Sequence, residues 1–108
     1  MVVLGHSMCG AVMATLEGLE GPAETQSSNV LSIVNRIRPT VEPLLSTDLR
    51  SNPEQLLNTA IRANIMASTN QLRHGSEILE RLVQQGDLTI VGAEYSLETG
   101  EVDFFDRL

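Results

Sequence analysis

The segment Val2-Val3-Leu4-Gly5-His6-Ser7-Met8-Cys9-Gly10 constrains this chain more than any other. Its aliphatic, β-branched opening closes on a glycine, the pattern of a strand buried on both faces of a parallel sheet. After Gly10, the spacing of Val12, Met13, Leu16 and Leu19 is helical. A buried strand must therefore pass into a helix through one tight turn, which points to an α/β fold.

The rest of the chain extends that reading. Gly18, Gly21 and Pro22 are expected to end the first helix, and residues 23–28 read as a polar loop. Val30, Leu31, Ile33, Val34 and Ile37 predict a second helix, which Pro39 should stop. Asn52-Pro53-Glu54-Gln55 is a helix start, with Asn52 as cap, Pro53 in the first position and Gln55 placed to reach back. The helix that follows carries Leu56, Leu57, Ala60, Ile61, Ile65 and Ala67 as its apolar stripe, with Arg62 and Asn70 on its polar face. His74-Gly75-Ser76 interrupts it, and Ser76 can cap a further helix through Ile78, Leu79, Leu82 and Val83 that stops at Gly86. Residues 88–92 form a second buried strand, and residues 94–97 and 101–105 form a hairpin around Thr99-Gly100 at the sheet edge. The expected architecture is one domain over residues 1–108, with a small, mainly parallel sheet, several helices and a C-terminal edge hairpin.

Composition narrows the partners. Tyr95, Phe104 and Phe105 are the only aromatic residues, so the core must be aliphatic. Fourteen acidic residues oppose seven basic ones, all arginine, for a net charge of −7. Scattered arginines among carboxylates give no basic face to displace the counterions of a nucleic acid, so none is expected. No apolar run approaches the roughly 20 residues that span a bilayer. Met1-Val2-Val3-Leu4 is also too short and uncharged to open a signal peptide, so no membrane partner and a cytoplasmic location are expected. The single cysteine, Cys9, excludes an intrachain disulfide.

The chemistry is concentrated at His6 and Cys9. Imidazole and thiolate both suit zinc, and a turn between a strand and a helix can aim two side chains at one point. The helix start after Gly10 also favours negative charge on sulfur. Against this, tetrahedral zinc takes three or four ligands, and a lone His-x-x-Cys pair arises by chance. The bland alternative is Cys9 as a small buried hydrophobe beside a capping His6. A thiol enzyme with His6 as base needs a third, orienting group, and the sequence points to none.

The neighbouring residues add a resemblance. Val2-Val3-Leu4-Gly5-His6-Ser7-Met8-Cys9-Gly10-Ala11-Val12 resembles the segment of β-class carbonic anhydrases that supplies two zinc ligands. Residues 86–102, with Gly92, Tyr95, Thr99, Gly100 and Val102, resemble the late strand and hairpin of the same family. The resemblance implies a zinc-dependent lyase for reversible hydration of CO2 to bicarbonate. In it His6 and Cys9 become zinc ligands, and Gly5 and Gly10 let the backbone pack closely around the metal.

The resemblance also implies a Cys-x-Asp-x-Arg segment before this motif, with a third zinc ligand and an Asp-Arg dyad, and these 108 residues contain none. Ser46-Thr47-Asp48-Leu49-Arg50 imitates it, but with serine for cysteine and on the wrong side of the His-x-x-Cys turn. His74 reads as a surface or capping residue. Glu94, Glu98, Glu101, Asp103 and Asp106 read as solvated charges that protect an edge hairpin. Two readings therefore stay open: a carbonic anhydrase homologue whose zinc site is incomplete within one chain, and a catalytically inactive remnant acting as an interaction or metal-binding module. A tight zinc site would be shared between chains, for instance by two His and two Cys across a two-fold axis. The short strand inventory leaves apolar surface uncovered, so a homodimer or higher homo-oligomer is expected, with residues 2–9 at or near the interface.

Overall fold

A computed structural model describes residues 1–20 and 27–106. The elements in order are β1 (Val2–His6), α1 (Gly10–Glu20), α2 (Ser28–Val41), two short 3-10 segments (Glu42–Ser46 and Asp48–Ser51), α3 (Pro53–His74), α4 (Glu77–Gln84), β2 (Val91–Tyr95) and β3 (Val102–Asp106). The sheet runs β1-β2-β3. β1 lies parallel to β2, with Val2 beside Val91 and His6 beside Tyr95. β3 returns antiparallel, with an irregularity between Gly92 and Glu94. The expected α/β class and the edge hairpin are both present. The chain divides into two compact units, residues 1–7 with 65–108, and residues 8–64.

In the first unit the later part of α3 lies against the sheet through two glycines. A Cβ placed on Gly5 would collide with the Ile65 side chain, and one on Gly92 would come within 3.2 Å of Ile65 Cγ2 and 3.3 Å of Thr69 Oγ1. Ile65, Thr69 and Arg73, spaced by four, form the buried stripe of this part of the helix. The Thr69 hydroxyl donates to the Ile65 carbonyl at 2.8 Å. Arg73 donates through Nε to the Ile90 carbonyl at 3.1 Å and through Nη2 to the same oxygen. Its Nη1 stands 3.4 Å from Asp106 Oδ2. One buried guanidinium thus ties α3 to the approach to β2 and to β3.

Local capping sets α4. The Leu79 N–H donates to Ser76 Oγ at 3.3 Å. At the other end Gly86 has φ 81, its N–H donates to the Val83 carbonyl, and the Asp87 N–H donates to that of Leu82. That pair of bonds is a Schellman stop, which favours glycine at the left-handed position.

The second unit holds an aliphatic core of Val12, Leu16, Val34, Ile37, Val41, Leu56, Ala60 and Ile61. α1 and α2 pack together within it. Asn52 caps α3: the Gln55 N–H donates to its Oδ1 at 3.3 Å, and its Nδ2 donates to Gln55 Oε1 at 3.3 Å.

Several expectations need correction. Pro39 does not stop α2, which runs on to Val41. Proline removes only the bond to the carbonyl of exposed Asn35, and the burial of Val41 holds the last turn. Gly18 lies inside α1, whereas Gly21, Pro22 and residues 23–26 lie outside the described residues. Ser27 is not loop but the cap of α2, accepting from the Val30 N–H at 3.2 Å. The second buried strand and the first arm of the hairpin are one strand, β2, because residues 88–90 are not paired as strand and the Ile90 carbonyl turns to Arg73. β1 is not buried on both faces: Val2 is 51% and Leu4 55% exposed, while Val3 and Gly5 are half-buried. Among the described residues β1 has a neighbour on one side only.

Candidate metal centre

Ser7 fixes the end of β1. Its N–H donates to the Tyr95 carbonyl at 2.9 Å, and its Oγ accepts from the Leu97 N–H at 2.9 Å. The strand is therefore locked to the β2–β3 hairpin one residue after His6. The exposed His6 ring sets Nδ1 2.8 Å from the Ser7 carbonyl. A carbonyl only accepts, so Nδ1 carries the proton in that bond and Nε2 keeps the lone pair that a metal needs. A backbone carbonyl on the far ring nitrogen is a common way to fix a ligating histidine.

Two residues on, Met8 has φ 56. A side-chain-bearing residue in the left-handed region costs about 1 kcal/mol or more and marks a turn held by its surroundings. Cys9 is a half-buried free thiol directly before α1, and its carbonyl accepts the first helical bond from the Met13 N–H at 3.0 Å. It stands where the peptide dipoles of α1 favour negative charge. Of the two glycines, Gly5 answers to Ile65, while a Cβ on Gly10 would meet no atom within 4 Å. Among the described residues, therefore, nothing requires glycine at position 10.

His6 and Cys9 fit zinc in kind but not in number. The sequence has one cysteine and two histidines, and no group of three or more His, Cys, Asp or Glu gathers among the described residues. His74 is exposed and stands 3.5 Å from the Glu80 carboxylate, a surface pair. Ser46-Thr47-Asp48-Leu49-Arg50 belongs to a turn: Thr47 Oγ1 accepts from the Leu49 N–H at 3.2 Å and donates to the Leu44 carbonyl at 2.6 Å. Asp106, read from the sequence as a solvated edge charge, is instead half-buried beside Arg73. Arg73 itself is the polar residue that sequence reasoning missed. Its signal was its place four residues beyond Thr69 and eight beyond Ile65, in register with the buried stripe.

The carbonic anhydrase family model matches residues 1–102. The carbonic anhydrase of Mycolicibacterium smegmatis is 32% identical over all 108 residues, which span 50% of its length. Among solved structures, the β-carbonic anhydrase CcaA is 27% identical at a TM-score of 0.68, covering 94% of this chain and 48% of its own. The Coccomyxa β-carbonic anhydrase determined with acetazolamide shares the fold at a TM-score of 0.77 and 21% identity, covering 96% of this chain and 45% of its own. A β-carbonic anhydrase of Sordaria macrospora, from a pair described as tetrameric, has a TM-score of 0.76 at 15% identity, with 96% and 50% covered. The chain thus spans about half the length of the relatives it matches. On the family match, which takes in the His-x-x-Cys turn and the late strand β2, this chain belongs to the carbonic anhydrase family.

Proposed function

We propose that the chemistry of this chain's family fold is the reversible hydration of CO2 to bicarbonate, that His6 and Cys9 are two ligands of the zinc ion used for it, and that these 108 residues alone leave the zinc site incomplete. The observation that carries the reading is the family match across residues 1–102, which includes both residues. Bound zinc supplies a hydroxide-like water near neutral pH. The chain's own contribution is local. Ser7 anchors the strand end, the Ser7 carbonyl sets the His6 tautomer, and α1 begins at the residue after Cys9. Two donors do not close a zinc site, so at least one further ligand comes from outside this pair. The same reading takes CO2 and bicarbonate as the small-molecule partners and association of copies as the working state. Tetrameric relatives of the same fold support that association.

Cobalt tests the ligand pair without relying on activity. Titrated into chelator-washed protein, cobalt(II) should give a thiolate charge-transfer band in the near ultraviolet. Cys9→Ser should abolish the band, and His6→Ala should weaken cobalt affinity at least tenfold. A band that survives Cys9→Ser, or cobalt affinity indifferent to His6→Ala, removes the pair from the metal.

A further inference from the structure

Ser7 directs its polar groups three ways. Its N–H donates to the Tyr95 carbonyl and its Oγ accepts from the Leu97 N–H, both at 2.9 Å, so two residues at the end of β2 grip one residue at the end of β1. Its carbonyl lies 2.8 Å from His6 Nδ1. The hydroxyls of Thr15, Thr47, Ser51 and Thr69 bond backbone no more than four positions away, whereas that of Ser7 reaches 90 positions along the chain. His6, Ser7, Tyr95 and Leu97 all lie within the first compact unit.

The two grips differ in what they ask of position 7. The N–H bond continues the ladder to β2, which any residue but proline can do. The second bond needs a side-chain acceptor, and it anchors Ser7 through χ1 as well as through the backbone. That anchor matters because of the next residue. Met8 has φ 56, a conformation that a residue with a side chain keeps only where its surroundings impose it. The cost of such a φ and the net contribution of one hydrogen bond are of the same order. The peptide plane between Ser7 and Met8 carries the Ser7 carbonyl, and it turns when φ of Met8 relaxes. Without the Leu97 bond that relaxation is no longer opposed, and the oxygen leaves His6 Nδ1.

We propose that Ser7 is a positioning residue for His6: its hydroxyl, held by the Leu97 N–H, fixes the peptide whose carbonyl keeps the proton on Nδ1 and leaves the Nε2 lone pair for a metal. The proposal rests on the reading of His6 as a zinc ligand. Ser7 itself donates no atom to the metal, and its effect travels through the imidazole. Leu97 takes part through its N–H alone, since its side chain is exposed. Partners that orient a ligating histidine in this way change metal affinity by about 10- to 100-fold when removed.

Nitrogen-15 NMR of the imidazole rings in the metal-free 108-residue chain, at a pH where imidazole is neutral, reads the tautomer directly, with His74 as an internal reference. Wild-type His6 should be in the Nδ1–H form, and the Leu97 amide should exchange more slowly than a solvent-bonded turn amide. Ser7→Ala should move His6 toward the Nε2–H form that free imidazole favours. It should also weaken cobalt(II) affinity about tenfold while leaving the thiolate band intact at saturation. Ser7→Thr keeps the hydroxyl and should restore both. Ser96→Ala removes a hydroxyl that accepts from the Thr99 N–H in the same hairpin, and it should leave the His6 tautomer unchanged. An Nε2–H tautomer in the wild type, a tautomer indifferent to Ser7→Ala, failure of Ser7→Thr to restore it, or an equal effect of Ser96→Ala overturns the proposal. If Ser7→Ala does not fold, the wild-type tautomer, the Leu97 exchange rate and Ser7→Thr decide it. A wild type that binds no cobalt but shows the tautomer response removes the zinc reading and leaves the hold of Ser7 on His6 standing.

Discussion

At Gly5 a single methyl group decides whether α3 can lie on β1. Ile65 is buried and fills the space a Cβ would need. Gly5→Ala should therefore lower stability by about 1–3 kcal/mol in urea unfolding, and Ile65→Ala added to it should cost less than it does in the wild type. Arg73 poses the opposite case, a charge that is stable inside only because its partners are there. Arg73→Met strands the Ile90 carbonyl and leaves Asp106 half-buried without its cation, so a loss of about 3 kcal/mol is expected. Asp106→Asn in the Arg73→Met background should recover part of it; a neutral Arg73→Met would show that the guanidinium contributes little. The proposed pair, His6 and Cys9, could be picked out in the sequence because zinc chemistry is specific to residue type and short-range spacing. Arg73 could not, since arginine is ordinarily exposed and its burial depends on Ile90 and Asp106, 17 and 33 positions away in the chain.

Among the elements, α4 shows what local rules decide by themselves. Ser76 and Gly86 bracket it, and both were legible because a cap and a left-handed stop involve residues within one turn of each other. Ser76→Ala should cost about 1 kcal/mol, and Gly86→Ala, which forces a side chain into φ 81, about 1 kcal/mol as well. Hydrogen exchange should report both as faster opening of residues 77–84, and unchanged exchange there would rule out capping as what holds the helix. Element limits were less legible. Pro39 sits inside α2 because Val41 is buried beyond it, and the apolar run at residues 88–92 gives up its first residues to the bonds that Arg73 makes. Both outcomes depend on tertiary partners that no local pattern contains.

Taken over all 108 residues, the two proposed donors are fewer than the three protein ligands a catalytic zinc takes. With His6 and Cys9 as the zinc pair and no third donor gathered among the described residues, stopped-flow hydration of CO2 by this chain with added zinc should stay near the buffer rate. Hydration at an enzymatic rate, lost on His6→Ala, would show that the chain completes its own site. What the sequence determined by itself was the kind of the main helices and strands, the caps at Asn52 and Ser76, and the α/β order, and it supplied the proposed donor pair. Those follow from periodicity and from groups a few residues apart. Only the tertiary structure decided that β1 pairs with β2 and leaves Val2 and Leu4 exposed, that Gly5 and Gly92 face Ile65, and that a guanidinium is buried. Exposure and pairing depend on which distant segments arrive at a surface. Val2 meets Val91 across most of the chain's length, and nothing near Val2 in the sequence announces whether its other side is covered.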